Sequence, residues 1–289
     1  MTAVLDTPVA ARPIRITEPG VYDIPAEVYH QQSALSASGM KKLLPPSCPA
    51  IFRYEQDHPQ PPKKEFDFGH AAHRLVLGAG EDLAVIDAPD WKTKSARDQK
   101  DAARAEGFVP LLPQDMDKAR TMADEVRRHP LASALFQGGR PEQSLFWNDA
   151  VTGIARRARL DWLSDPRESR LIVADYKTTT SVDLDDIERS VYEYGYNVQN
   201  VQYTDAVRAL GLGGEDTVMV FVFQMKTPPF LIRVVQLEQM ALKIGRAKIR
   251  AAIDKYRECL SAGVWPGYDD IAYAALPVWG EKKDSEEYL

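Results

Sequence analysis

Two neighbouring stretches, Arg159-Leu-Asp-Trp-Leu163 and Leu171-Ile-Val-Ala-Asp-Tyr-Lys-Thr178, constrain the fold of this chain more than any others. The second is a short apolar, β-branched run that breaks at Thr178-Thr179-Thr180, the pattern of a buried strand. Strand side chains alternate between faces, so Asp175 and Lys177 point one way with Leu171 and Val173, while Trp162 and Tyr176 turn away into core. The intervening Ser164-Asp-Pro-Arg-Glu-Ser-Arg170 is rich in turn formers. A hairpin folded there has its midpoint near Glu168, which sets Asp161 across from, or diagonal to, Asp175. Two carboxylates and an amine then meet at the end of an apolar hairpin. Burying like charges this way is unfavourable unless a divalent cation neutralises them.

The pattern on either side of this hairpin is helical in front and mixed behind. Residues 1–19 read as a flexible arm, followed by a short strand from Gly20 to Pro25. Leu35 to Leu44 reads as a helix with a serine start, stopped by Pro45-Pro46. Ser47 caps the next helix, to about Gln56, and His58 to Lys63 is an extended proline-rich linker. Phe66 to Leu77 is a helix with Gly78 as its C-cap, and it carries Gly69 and His73 on one face. Residues 90–130 are charged and helical, with an amphipathic helix from Gln114 to Arg128. Strands follow at Ser144–Trp147, Ile154–Leu163 and Leu171–Thr178. Two helices come next, Leu184–Tyr194 and Tyr196–Leu210. A second hairpin, Val218–Gln224 with Phe230–Val235, turns at Thr227-Pro-Pro229. A helix from about Leu237 to Leu260 has an apolar face (Leu242, Gly245, Ile249, Ala252, Ile253, Tyr256) and a basic one. Residues 264–280 are expected to pack as a coil, and 281–289 to fray. The order βββ-αα-ββ-α behind a helical front predicts an α+β fold. It is read as one domain over 20–280, with its helical front at 20–135 and its core at 136–263.

Composition narrows the function classes. At 289 residues, 44% hydrophobic and 27% charged, the chain has the make-up of a globular protein with a sizeable core. No window reaches the apolar length of a membrane span, and the first residues lack the basic start and apolar centre of an export signal. The two isolated cysteines, Cys48 and Cys259, cannot supply an iron–sulfur cluster or a four-thiolate zinc site, and they fit a cytoplasmic location. A net charge of -6 argues against coating nucleic acid by bulk electrostatics, but leaves room for a local basic path beside an acidic metal site.

Asp161, Asp175 and Lys177 are the residue types that metal-assisted phosphodiester hydrolysis needs. Carboxylate oxygens suit Mg²⁺ or Mn²⁺, and a nearby lysine orients water or offsets charge growing on phosphate. Gln199 and Tyr203 lie on one helical face downstream, as Gly69 and His73 do upstream. The G-x-x-x-H helix, lone Asp, D-Y-K-T strand and Q-x-x-x-Y helix, in this order, resemble the RecB-like branch of the PD-(D/E)xK nuclease superfamily. Leu35-Ser-Ala-Ser-Gly39, Phe68-Gly-His-Ala-Ala-His73 and Tyr194-Gly-Tyr-Asn-Val-Gln199 are similar to the RecE-type exonuclease VIII domain of phages and prophages.

The resemblance implies a mixed central sheet flanked by helices. It assigns Asp161, Asp175 and the Tyr176 carbonyl as metal donors, His73 as a ligand or supporting group for a second metal, and Lys177 as the catalytic lysine. Gln199 and Tyr203 would position the strand end or support the site, and Glu142 would be an additional acid. It also implies attack on linear double-stranded DNA from its ends, 5′→3′, in phage-type recombination. A single-strand annealing recombinase and a ring-shaped homo-oligomer are the partners it implies. Lys92, Lys94, Arg97, Arg157 and Arg159 are candidate phosphate contacts, with a solvated charged face as the plainer reading. The other functional readings are a structure- or site-directed RecB-like endonuclease, and a non-catalytic DNA-binding module that kept the fold. A Cas4-like nuclease lacks its cysteine quartet here, and a glycosidase lacks any sugar-binding signal.

Overall fold

The computed structural model describes residues 14–58, 67–165 and 170–289. Most of the expected arm (1–13), the linker from residue 59 on, Phe66 and the hairpin tip at 166–169 lie outside the described residues.

A six-stranded mixed sheet forms the centre, in the order β1-β4-β5-β6-β7-β8. Its strands are β1 (Gly20–Tyr22), β4 (Gly139–Asn148), β5 (Ala155–Ser164), β6 (Ile172–Thr179), β7 (Val218–Met225) and β8 (Ile232–Val235). The β6–β7 pair is parallel and all its other neighbours are antiparallel. A parallel pair needs a crossover, and here α8 (Leu184–Tyr194) and α9 (Tyr196–Ala209) supply it. That crossover lays α9 over the face of β6 bearing Asp175 and Lys177. Leu145, Leu160, Val173, Val207, Phe221 and Phe223 fill the core beneath it.

The opposite face of the sheet is covered by the helical front. Tyr176 and Val222 pack with Ala72 of α4 (Asp67–Leu77), Met122 and Val126 of α6 (Pro113–Arg128), and Ala132 of α7 (Pro130–Leu135). Trp162 and Ala174 pack with Leu77 on this side, as the alternation argument requires. A third layer covers α9: α2 (Ala37–Lys42), α3 (Pro49–Asp57) and α10 (Gln239–Ala262) share a cluster of Met40, Phe52, Val198, Val201, Ile249 and Ile253. The apolar face expected on the long helix is that contact, and Gly245 is buried in it.

Several local expectations are corrected. The cap of α3 is Cys48, not Ser47, because Pro49 at the first helical position fixes the start. Two three-residue strands, β2 (Leu83–Val85) and β3 (Val109–Leu111), pair in parallel within the front. Runs that short carry no periodicity to read. Residues 278–288 form a helix, α11 (Val278–Tyr288), rather than a frayed tail; Pro277 starts it and the helix formers Glu and Lys fill it. The coil before it is not packed throughout. Trp265 stacks on Phe52 and the Tyr268 hydroxyl donates to the Pro46 carbonyl, but Ile271 is 87% exposed and Tyr273 97%. Among the described residues, no helix is long and apolar enough to cross a membrane.

Candidate active site

The β5–β6 hairpin pairs Trp162 with Ala174 and Leu163 with Val173. The same register places Asp161 opposite Asp175. The ladder ends there: the next amide, Tyr176 N–H, donates to Asp161 Oδ2 at 3.0 Å instead of to a backbone carbonyl. On the other side of β5, Pro141 pairs with Trp162 and Gln143 with Leu160, and Glu142 between them has φ 55°. That is left-handed backbone, strained for glutamate. Leu160 and Leu163 both face the α9 side while Trp162 faces the front, so the two-residue alternation slips once at Asp161. This slip lets Asp161 answer to groups on both sides of the sheet.

From the front, His73 of α4 reaches the slip. Its Nε2 lies 3.2 Å from Asp161 and its Nδ1 3.4 Å from Glu142. Glu142 is further held by Arg159 Nε at 2.5 Å. From the α9 side, Gln199 Nε2 donates to Asp175 Oδ1 at 2.6 Å, and Lys177 Nζ stands 2.5 Å from Asp175 Oδ2. That oxygen is buried, with the Lys177 ammonium as its ion-pair partner. Tyr203, one turn beyond Gln199, contacts its side chain, and burial raises the phenol well above its usual pKa.

The charges are strongly unequal. Burial first, and then the neighbouring Asp161 charge, push Asp175 up to about 7, against the pull of Lys177 and His73. Burial would raise Asp161 too, but His73, Lys177 and the Tyr176 amide outweigh it and hold Asp161 below the usual carboxylate value. Burial would lower His73 and Lys177; the facing carboxylates outweigh it and raise both. One acid is thus kept ionised and its neighbour half-neutralised, the pattern of two like charges sharing a site.

Among the described residues no three His, Cys, Asp or Glu side chains stand as a ready-made metal cluster. His73 and Lys177 take up the positions around Asp161 and Asp175 instead. The donor set nevertheless suits a hard divalent cation: a fully buried carboxylate, Asp175, faces a second, Asp161, whose side chain is 17% exposed.

The structure therefore brings His73, Asp161, Asp175, Lys177, Gln199 and Tyr203 together. Tyr176 contributes its amide here, while its ring lies on the far side with its hydroxyl 2.5 Å from Gln224. Glu142 belongs to the group and lies inside β4, which begins at Gly139 rather than at the expected Ser144. Its positive φ was invisible in sequence, because the residue type gives no hint of left-handed backbone.

The basic candidates divide. Arg157 is buried, bonded to the Tyr29 carbonyl and stacked over the Tyr29 ring, so its assignment to a phosphate path is corrected. Arg159 is likewise turned inward, to Glu142, Ser144 and the Ile24 carbonyl. Lys92, Lys94 and Arg97 are exposed at the start of α5 (Lys94–Ala105), which packs on β3, itself packed on α4.

Residues 36–276 match the family described as a PDDEXK-like domain of unknown function (DUF3799). A solved structure from Eubacterium rectale, named "Putative exonuclease", superposes with a TM-score of 0.59 at 12% identity, covering 90% of this chain and 98% of that one. The structure of SSO0001 covers 67% of this chain and 85% of its own at 14% identity, but with a TM-score of only 0.29. No curated protein matches the chain.

Proposed function

We propose that this chain, which belongs to the PDDEXK-like family DUF3799, is a Mg²⁺- or Mn²⁺-dependent exonuclease that degrades linear double-stranded DNA from its ends, 5′→3′, in phage-type recombination. The carrying observation is the convergence of Asp161 and Asp175 beside Lys177 under Gln199. Asp161 and Asp175 would hold the cation, with the Tyr176 carbonyl as a further donor and His73 supporting from α4. Bound there, the cation would polarise the scissile phosphate and acidify water.

The protein's own groups have distinct tasks. Lys177, kept protonated by its carboxylate neighbours, offsets negative charge that grows on the phosphate and orients the attacking water. Gln199 fixes the rotamer of Asp175, so the oxygen facing Lys177 is presented in one orientation. His73 and Arg159 together hold Glu142 and Asp161 at the slipped position of β5. A ring-shaped homo-oligomer and an annealing recombinase complete the proposed system, within one nuclease domain spanning residues 20–280.

The test uses linear and covalently closed circular duplex DNA, with Mg²⁺, Mn²⁺ or a chelator. Linear DNA should disappear, circles should persist, and Asp175→Asn or Lys177→Met should lower the rate by at least about 100-fold. Absence of digestion with either ion sinks the enzyme reading; equal attack on circles makes the protein an endonuclease.

A further inference from the structure

The rim of the site beside Lys177 is aromatic and basic, and none of its outer residues takes part in the proposed chemistry. Lys177 Nζ sits 5.2 Å above the ring of Tyr196, at the start of α9. Tyr196 stacks with Tyr194, ring centroids 5.6 Å apart and planes at 30°. Tyr194 is 56% exposed, and its carbonyl accepts from the Lys41 ammonium of α2. Tyr192, 80% exposed, lies under the ammonium of Lys248 from α10, 5.6 Å from the ring centroid. Four helices, α2, α8, α9 and α10, thus contribute to this rim. Partial burial, and then the charges of Lys177, Lys42 and Lys248, depress the pKa of Lys41, which places these cations within reach of one another. Lys42 itself is paired with Glu55. Tyr192 also borders, with Arg189, a hollow on α8 lined by Asp185, Glu188 and Glu193.

Clustered cations repel unless an anion joins them, and exposed aromatic faces in water are unfavourable unless something flat covers them. A polyanion carrying flat bases satisfies both conditions. A double helix presents phosphates but keeps its bases stacked on each other, so the ring faces would stay uncovered. The charge could serve any nucleic acid; the rings select an unpaired strand.

We propose that Tyr192, Tyr194, Lys41 and Lys248 form a shelf on which unpaired nucleotides of a DNA strand stack as it leads to Lys177. This rests on the nuclease reading and adds to it that the strand lies separated at the site. The experiment measures binding of the wild-type chain and of Tyr192→Ala/Tyr194→Ala to oligothymidine, to a single-strand-tailed duplex and to a blunt duplex, by fluorescence anisotropy in chelator. Circular dichroism checks the fold, which two exposed rings should not disturb. The variant should bind oligothymidine and the tailed duplex about tenfold more weakly, a loss of stacking for one base or so, with blunt duplex within about twofold. Lys248→Ala should weaken oligothymidine binding and flatten its salt dependence. Unchanged oligothymidine affinity in the tyrosine variant, equal loss for blunt duplex, or no oligothymidine binding by the wild type overturns the shelf. Digestion of linear DNA by the wild type, assayed in parallel with Mg²⁺, reports on the nuclease reading separately.

Discussion

Asp175 is the residue on which the protein's response to pH turns. Its folded-state pKa, about 7, lies above the ordinary 3.8, so the native protein holds this proton more tightly than the unfolded chain does. The associated stability is present below the unfolded value and is lost as pH rises toward 7. His73, also raised, adds a loss in the same direction above its ordinary 6.5. Asp161, depressed, works the other way, but its contribution fades only below the ordinary 3.8, outside this window. Without divalent ions the wild type should therefore be less stable at pH 8 than at pH 5, by an amount on the order of a few kcal/mol. Urea titrations at both pH values should show the dependence flattened in Asp175→Asn. Parallel slopes for the two proteins would remove Asp175 as the cause. The identities of these groups were legible because D-Y-K on an apolar strand, with Gln199 and His73 at fixed offsets, is a chemical signature. The neutralisation of each acid by a different partner was not, since it depends on which rotamer each side chain takes in a finished core.

At the level of elements, the parallel step from β6 to β7 is what brings α9 back across the sheet, and α10 holds α9 there. The contact between the two helices is close. A Cβ added at Gly245 would lie 2.5 Å from the Asn197 carbonyl oxygen and 3.1 Å from Val201. Asn197 is two residues before Gln199, and its backbone cannot move aside without moving that glutamine. Gly245→Ala should cost about 1–3 kcal/mol of stability by thermal melting and lower turnover together with it. A gain in stability, as helix propensity alone predicts for alanine, would show that the two helices are free to separate. Sequence periodicity located both helices and the buried stripe of α10, because long amphipathic patterns are strong signals. It gave no warning of the slip at Asp161 or of the pair β2–β3. A strand of three residues, or one residue of left-handed backbone, is decided by neighbours far away in the chain.

For the whole molecule, layering was readable and periphery was not. The α+β arrangement follows from a helical front and a strand-rich centre, and the sheet, crossover and covering helices agree with it. The C-terminal region was misread because aromatic residues suggest packing; Trp265 does pack, whereas Tyr273 and Trp279 stand in solvent. Residues 269–289 make few of the contacts that hold the core, so ending the chain after Tyr268 should change the melting midpoint by no more than about 2 °C, which corresponds to about 1 kcal/mol for a chain of this size. A larger fall, seen by calorimetry, would mean that this stretch is covered in solution.

Gly195 closes α8 and opens α9 in a single left-handed residue, φ 63°, with the Lys41 side chain pressed against it. No slack separates the two helices, so the joint behaves as a rigid elbow. Tyr194 is on one arm and Gln199, one turn along, is on the other. A shift of the tyrosine would therefore turn the second arm and carry along the glutamine that bonds to Asp175. Occupancy outside and alignment inside would then be two readings of one torsion.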